Sequence, residues 1–308
     1  METLTHRPQP QQALERAEWL RIGGVTLAVR ELDRVVAFYR DVIGLEVLAH
    51  EDGVVRLGVA GGAFLELLHR PAAKPDDPAS AGLFHTAFLL PSRADLGRWL
   101  AHFRRLGQPL DGGADHLVSE AAYLHDPEGN GVEVYVDRPR EQWSWRDGPD
   151  GRRVEMANRP LDVEGLLRLA DTPWAGAPAG TRIGHVHLRV GSIGEARRFY
   201  GGLLGMDVTN AWDAAAFLSS GGYHHHVAAN TWRSAGAGPR DPARSGLASV
   251  TLDIADEQAL AGIMGRVGEG GSAGSLQNRS LVDRGLVDPW GTIVRLRLAE
   301  PTRQPTSI

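Results

Sequence analysis

Histidine and glutamate side chains stand inside short apolar segments at several points of this chain. His85 lies in LFHTAFLL, His185 in IGHVHLRV and Glu133 in GVEVYV, and three consecutive histidines occupy 224–226 in GGYHHHVAANTW. A carboxylate or an imidazole in an apolar strand is costly to bury unless it has a partner. Imidazole nitrogens and carboxylate oxygens are common ligands of divalent transition metals. The sequence therefore indicates a buried metal site.

The directions of the three histidine side chains can be predicted if the run lies in a β-strand. Successive side chains of a strand point to opposite faces, so His224 and His226 are expected on one face and His225 on the other. We take His226 as the site residue of this run. His224 is the alternative if the register slips, and His225 is expected to pack or hydrogen-bond on the far face.

Composition excludes several classes of site. The 308 residues are 42% hydrophobic, carry a net charge of −5 and include no cysteine. Disulfides, zinc–thiolate sites, iron–sulfur clusters and cysteine nucleophiles are thereby excluded. Interspersed charges give no reason to expect nucleic acid or an anionic membrane as partner. The sequence also lacks a membrane-length apolar run and a signal-peptide core, so we expect a cytoplasmic protein.

An internal repeat predicts the elements that must position these residues. IGGVTLAVRELDRVVAFYRDVIGLEVL begins at Ile22, and IGHVHLRVGSIGEARRFYGGLLGMDVT begins at Ile183. Weaker copies begin at Gly82 and Gly246. Each copy reads as a strand, an amphipathic helix and about three further strands. The prediction is an α+β protein made of four βαβββ modules.

The modules group by sequence order into two domains joined by a linker. A first domain is predicted over 16–140, a linker over 141–180 and a second domain over 181–300. The four modules fall at 20–72, 82–138, 182–234 and 246–298. The linker contains one short helical pattern, VEGLLRLA, and a stretch rich in proline and glycine, PWAGAPAG.

The repeat resembles a known superfamily. The helix ends FYRDVIGLEV and FYGGLLGMDV and the turn DPEGNGVEVY are similar to the vicinal oxygen chelate superfamily, which includes glyoxalase I, bleomycin-resistance proteins and type I extradiol dioxygenases. LFHTAFLLPSR, IGHVHLRV and GGYHHHVAANTW resemble its catechol 2,3-dioxygenase-like branch with two domains. The resemblance covers about 20–298. It implies the glyoxalase/extradiol dioxygenase fold, in which paired modules form two curved-sheet cups.

The resemblance also implies that metal ligands come from the first and last strand of each module. The first-strand positions are Gly24, His85, His185 and Ser249, and the last-strand positions are Glu66, Glu133, His226 and Arg295. Pairing modules two and three gathers the three histidines and Glu133 in one cup, and we favour that pairing. Pairing neighbours instead gathers Glu66, His85 and Glu133, and this alternative stays open.

The ligand set implied by the favoured pairing is His85, His185 and Glu133. Two histidines and one carboxylate on one face of an ion are typical of non-haem Fe(II), which keeps open positions for a chelating substrate and O₂. Fe(II) is therefore the favoured metal, with Ni, Zn, Mn and Co as alternatives. No residue is assigned to an organic cofactor.

Three further residues are implied to take part in catalysis. The segment from His116 to Glu133 is similar to the extradiol signature, which implies that His116 and Tyr123 hydrogen-bond the substrate or its developing oxyanion. His226 is implied to be either a fourth ligand or an acid/base histidine, roles that an imidazole can fill near neutral pH.

The leading prediction is a metal-dependent extradiol ring-cleaving dioxygenase. A catechol-like small molecule and O₂ are the expected partners, and a homodimer is left open. A glyoxalase-type isomerase or lyase is the first alternative and would favour Glu66 as an additional ligand. The second alternative is a small-molecule-binding protein of the same fold that lacks catalysis.

Overall fold

The computed structural model describes residues 17–148, 151–269 and 285–299. Module one comprises β1 (Leu20–Val29), α1 (Leu32–Phe38, continued by a π-helical turn over Tyr39–Ile43), β2 (Glu46–Glu51), β3 (Val54–Val59) and β4 (Gly62–His69). Module two comprises β5 (Gly82–Leu89), α2 (Arg93–Arg105), β6 (Gly112–Asp115), β7 (Ser119–His125) and β8 (Gly131–Asp137).

The connection to the second half of the chain has secondary structure of its own. It contains a 3₁₀ turn (Arg140–Gln142), β9 (Trp145–Gly148), β10 (Gly151–Val154), β11 (Arg159–Pro160) and α3 (Val163–Leu167). The short helix predicted for VEGLLRLA is thus confirmed. In α3 the Asp162 side chain caps the helix by accepting from the backbone N–H of Gly165.

Modules three and four repeat the pattern. Module three comprises β12 (Arg182–Arg189), α4 (Ile193–Ala196, continued by a π-helical segment over Arg197–Leu203), β13 (Asp207–Trp212), β14 (Ala215–Ser219) and β15 (Val227–Asn230). Module four comprises β16 (Gly246–Ile254), α5 (Glu257–Glu269), β17 (Gly285–Val287) and β18 (Ile293–Leu298). The α+β fold class with repeated modules is confirmed.

The strands form two large sheets. Each sheet combines one module from the first half of the chain with one module from the second half. A nine-stranded sheet has the order β11-β6-β7-β8-β5-β12-β15-β14-β13, and a seven-stranded sheet has the order β17-β18-β16-β1-β4-β3-β2. Modules two and three therefore share one sheet, and modules one and four share the other. This is the pairing that the sequence favoured, and it rules out the neighbour pairing within the sheets.

Each sheet contains strands from both of the domains that were predicted from the order of modules along the chain. The antiparallel pairs β5–β12 and β1–β16 join strands of the two predicted domains. The division at 16–140 and 181–300 stays a prediction about the order of modules along the chain, and its outermost residues lie outside the described ranges.

One continuous apolar core lies behind both cups. It includes Val132, Val134 and Val136 on one face of β8. The core-facing residues of the other inner strands and of the helices belong to it as well. Alternation then forces the opposite residues of the same strands, such as Glu133, toward the concave side. No helix in the described part of the chain is long and apolar enough to cross a bilayer.

Buried tyrosine–aspartate pairs tie consecutive modules together. Tyr39 of module one donates to Asp126 in the DPEGNG turn of module two at 3.3 Å. Tyr200 of module three donates to Asp288 in the DPWGT turn of module four at 3.0 Å. Burial raises the pKa of both carboxyl groups, although backbone N–H donors partly oppose the rise.

Removing either tyrosine hydroxyl is expected to destabilise the fold. We expect Tyr200→Phe to lower the free energy of unfolding by about 1–2 kcal/mol, because a buried carboxyl group loses a donor. Tyr39→Phe should cost less, since its hydrogen bond is longer. Urea unfolding followed by circular dichroism measures both. Unchanged stability in Tyr200→Phe would contradict this role of the pair.

Candidate metal centre

Two neighbouring strands in the middle of the nine-stranded sheet, β5 and β12, place the predicted ligands His85 and His185 on its concave face. β5 and β12 run antiparallel, with His187 opposite His85 and His185 opposite Ala87. Residues separated by two share a face of a strand, so His85, His185 and His187 all point to the same side. The neighbouring residues Phe88 and Val186 instead enter the apolar core.

His85, Glu133 and His185 converge on one point of that face. The Nε2 atom of His85 lies 2.9 Å from Oε2 of Glu133, and Nε2 of His185 lies 3.1 Å from the same oxygen. The two Nε2 atoms are 3.4 Å apart. All three side chains are buried, and their candidate ligand atoms lie within 4.8 Å of one another. Among the described residues this is the only such group.

The protonation states of this group suit metal binding. Burial would raise the pKa of Glu133, but the adjacent His185 and His85 lower it well below its usual range. Burial lowers the pKa of His185 to about 4, against the opposing effect of Glu133. At neutral pH the carboxylate is therefore ionised and His185 is neutral, which are the forms that bind a metal. A buried carboxylate beside two imidazoles fits a divalent ion.

The His185 ring is held by packing. Its Nδ1 is buried without a hydrogen-bond partner among the described residues. The ring instead lies between His225, at a centroid distance of 4.0 Å, and Tyr135, at 4.9 Å. Ring orientation at this position therefore depends on two aromatic neighbours, whereas metal-binding histidines commonly fix it with a hydrogen bond from the second nitrogen.

The register of the last strands corrects one predicted site residue. In each module the last strand runs parallel to the first, and the predicted last-strand residues of modules one, two and four occupy equivalent places. The pairs are Thr26 with Glu66, Ala87 with Glu133, and Thr251 with Arg295. In module three the equivalent pair is His187 with Ala228. Ala228, and not His226, therefore stands where module two has Glu133.

His226 faces away from the cavity, so its predicted place in the cup is wrong. Its Nδ1 accepts from the backbone N–H of Ser220, and its ring packs on Tyr223 at 4.8 Å. The strand begins only at Val227. Gly221 and Gly222 both have positive φ, 60° and 66°, and turn the chain just before the histidines. Strand alternation therefore does not apply to the run.

His225 occupies the position in the cavity that was predicted for His226. This is contrary to its own predicted position on the far face of the strand. It lines the cavity and contacts His185 as described above. Its Nδ1 lies 2.7 Å from Nδ1 of His224, whose Nε2 lies 2.9 Å from Asp137. His224 is fully buried behind the cavity wall, so it is not the ligand that a slipped register would have made it.

His116 and Tyr123, for which the same role is predicted, lie together on the cavity wall. They are 2.6 Å apart, between Nε2 of His116 and the Tyr123 hydroxyl. Nδ1 of His116 donates to the carbonyl of Ala157 at 3.0 Å, so its Nε2 accepts from the tyrosine. Tyr123 is opposite Glu133 in the β7–β8 pair. Burial, followed by the charge of Glu133, raises the tyrosine pKa well above its ordinary value.

Glu66 belongs to the other sheet and does not join the triad. Its carboxylate accepts from Arg56 at 3.0 Å and from Thr26 at 3.0 Å. Its side chain is 40% exposed, and it does not line the cavity. Arg295 lies near Ser249, at 3.4 Å. The predicted alternative of Glu66, His85 and Glu133 as one ligand set is therefore wrong.

The triad opens into a cavity of about 790 Å³. Phe84, Trp232 and Phe217 give it aromatic walls, and His187 lies among them, with its Nε2 accepting from Asn230 at 3.0 Å. Residues 156–158 of the linker also line it, beside β11, which pairs with β6 at the sheet edge. The sequence pattern of the linker predicts only a connection and gives no signal of this contribution.

Comparison with known proteins gives concordant matches. The family model of the Glyoxalase/Bleomycin resistance protein/Dioxygenase superfamily matches residues 21–134 and 182–266. The chain is 40% identical over 255 residues to a catechol-2,3-dioxygenase of Bacillus subtilis, covering 81% of this chain and 88% of that protein. It is 28% identical over 136 residues to a biphenyl-2,3-diol 1,2-dioxygenase 3 of Rhodococcus globerulus, covering 42% of this chain and 72% of that protein.

Solved structures support the same fold. Glyoxalase I from Zea mays superposes with a TM-score of 0.53 at 17% sequence identity, covering 90% of this chain and 92% of that protein. At this identity the match concerns the fold alone. It agrees with the module arrangement expected from the sequence.

Proposed function

Because the chain belongs to the glyoxalase/bleomycin resistance protein/dioxygenase superfamily, we propose that it is an extradiol dioxygenase that cleaves a catechol-like ring with O₂. The observation that carries the proposal is the convergence of His85, Glu133 and His185 at the bottom of the cavity. Identity to a catechol-2,3-dioxygenase over most of the chain supports it. We assign these three residues as ligands of Fe(II).

Fe(II), when bound, supplies Lewis acidity and open positions at which a diol and O₂ can meet. The protein contributes two imidazoles and one carboxylate, so a large part of the ion's surroundings is left to substrate. Ala228 strengthens this assignment, because the position equivalent to Glu133 carries a methyl group and no fourth ligand.

His225 is the acid/base group of the proposed reaction. It lines the cavity beside His185. Burial, followed by the neighbouring histidines, lowers its pKa well below its usual value, so the ring enters the reaction neutral. A neutral imidazole can take the proton of a substrate hydroxyl and return it later, in the way that histidines act in general acid–base catalysis.

Tyr123 and His116 are assigned to the opposite wall. The elevated pKa of Tyr123 keeps its hydroxyl protonated at neutral pH, so it can donate to a substrate oxygen that gains negative charge. In the structure His116 accepts from the same hydroxyl, so the single O–H proton must turn from His116 to the substrate oxygen when substrate binds; His116 itself is anchored to the linker through Ala157. The linker therefore lines the cavity and, through the contact between Ala157 and His116, also helps to position the Tyr123 hydroxyl.

A glyoxalase-type isomerase is the less favoured function. An isomerase of this type would favour a second carboxylate, such as Glu66, and a fourth ligand such as His226 would leave fewer positions for O₂. Glu66 lies in the other sheet, and His226 faces away from the cavity. Neither ligand is therefore available to the His85–Glu133–His185 group, and no observation favours the isomerase.

Reconstitution with different metals tests the proposal. Metal-free protein is supplied with Fe(II), Mn, Co, Ni or Zn under argon, and O₂ uptake is then recorded with catechol. We expect one O₂ consumed per catechol with Fe(II) and none with Zn. Uptake with no metal, or none with any of the five metals, would contradict the assignment.

Loss of the Tyr123 hydroxyl is expected to slow the reaction. We expect Tyr123→Phe to reduce kcat by about a hundredfold with little change in KM, because the donor acts on charge that develops during the reaction. Steady-state O₂ uptake measures both constants. Tyr39→Phe is the matched control, since its hydroxyl binds Asp126 outside the cavity. Equal kcat values in the two variants would remove Tyr123 from the mechanism.

A further inference from the structure

We propose that Asp137 and His224 are positioning residues that fix the tautomer of His225. In this arrangement His225 carries its proton on Nδ1 and presents an unprotonated Nε2 to the cavity. The inference rests on the proposed function, because His225 is an acid/base group only if the protein is an extradiol dioxygenase. The sequence predicts no role for Asp137 and offers His224 only as an alternative ligand.

The three side chains form a continuous hydrogen-bonded row behind the cavity wall. Oδ1 of Asp137 lies 2.9 Å from Nε2 of His224. Nδ1 of His224 lies 2.7 Å from Nδ1 of His225. His224 is fully buried, whereas the Asp137 side chain is 24% exposed. The row thus runs from the cavity to the protein surface.

The direction of each hydrogen bond follows from the carboxylate. A carboxylate only accepts, so Nε2 of His224 must carry the proton of the first bond. The tautomer of His224 that carries its single ring proton on Nε2 has no proton on Nδ1. Nδ1 of His224 is therefore the acceptor of the second bond, and Nδ1 of His225 is its donor.

Nε2 is the ring nitrogen of His225 that remains. None of the hydrogen bonds among the described residues involves it, and His225 is one of the residues that line the cavity. The unprotonated nitrogen is the form that can accept a proton from a substrate hydroxyl. The opposite tautomer would present an N–H and could not act as a base. The row therefore decides whether His225 is ready for the first proton transfer.

Packing holds the row in place. β8 carries Glu133, Tyr135 and Asp137 on one face by alternation. The ring of His224 packs against Tyr223 at 4.1 Å and Trp143 at 5.4 Å. Tyr223 also donates to the Asp137 carboxylate at 2.9 Å. One strand therefore supplies both the proposed metal ligand and the carboxylate that sets the tautomer.

Nitrogen NMR of the metal-free, full-length protein tests the proposal without any turnover. Long-range ¹H–¹⁵N spectra of protein labelled at histidine nitrogen distinguish the two tautomers of each ring, and His→Gln variants assign the signals. We expect His225 protonated at Nδ1 and His224 protonated at Nε2. A His225 ring protonated at Nε2 in the unmodified protein would overturn the proposal, whether or not the protein cleaves catechol.

Two variants test which residue sets the tautomer. In Asp137→Leu and in His224→Phe, we expect His225 to lose its preference for the Nδ1 proton. In the control Tyr223→Phe, which leaves the bond between His224 and Asp137 in place, we expect that preference to persist. Retention of the Nδ1 proton in Asp137→Leu would show that the carboxylate does not set it.

Kinetics of the iron-loaded protein give the second readout. For Asp137→Leu we expect kcat to fall about ten- to a hundredfold, while KM and bound iron stay within twofold of the unmodified protein. The loss stays below the full contribution of a general base, about 10²–10⁴-fold, because a fraction of His225 still adopts the competent tautomer. An unchanged kcat would contradict a positioning role.

Discussion

Glu133→Ala is expected to abolish iron binding and ring cleavage together. Glu133 supplies the only carboxylate of the candidate centre among the described residues. Without it, two imidazoles remain to hold a divalent cation in a buried site. Stabilisation by a bound metal amounts to several kcal/mol, so we expect kcat/KM for catechol to fall by about a thousandfold or more. Metal content should fall from about one iron per chain to less than a tenth.

Glu66→Ala is the matched control for this loss. Glu66 is the equivalent residue of module one, as its pairing with Thr26 in β1 and β4 indicates. It lies in the seven-stranded sheet and contacts Arg56. We expect iron content and activity to be unchanged in this variant. Mass spectrometry of protein purified without oxygen measures the metal, and equal losses in both variants would contradict the assignment of the cup.

His225→Gln and His226→Gln are expected to differ sharply. Loss of the acid/base group should lower kcat by about 10²–10⁴-fold in His225→Gln, with near-normal iron content. In His226→Gln the amide can still accept from Ser220, so we expect kcat within twofold of the unmodified protein. Steady-state kinetics with thermal unfolding as a folding control measure the contrast. A large loss in His226→Gln alone would restore the register predicted from the sequence.

The sequence predicts the triad well because regular strands carry it. β5 and β12 pair in register from His85 to Ala87 and from His185 to His187, and the irregularities of this pair lie just outside those residues, so spacing and resemblance lead to the correct face. The module pairing was also favoured correctly, because only the combination of modules two and three brings His85 and His185 together with Glu133. Both results depend on strand periodicity, which local sequence expresses directly.

The histidine run is predicted wrongly because a turn interrupts the strand. Gly221 and Gly222 adopt positive φ, and the chain reverses the faces of His225 and His226 before β15 begins. A glycine doublet is a turn signal, and it was visible directly before the run. Giving that doublet more weight than the repeat spacing would have moved the strand start to Val227.

Contacts between distant segments were beyond sequence analysis. Asp137 meets His224 across 87 positions of the chain, and the carbonyl of Ala157 reaches His116 from the linker. Nothing in the local pattern of either segment points to its partner. The first contact depends on the pairing of β5 with β12, which brings β8 and β15 into one sheet, and the second depends on how the linker crosses the edge of that sheet.

Product identity is the most direct test of the central claim. Iron-loaded protein is incubated with catechol under ¹⁸O₂, and the product is analysed by mass spectrometry. We predict a yellow ring-opened product, cleaved beside the diol, that contains both atoms of the labelled oxygen. Recovery of intact catechol, or of a product cleaved between the two hydroxyl-bearing carbons, would contradict an extradiol dioxygenase built on His85, Glu133 and His185.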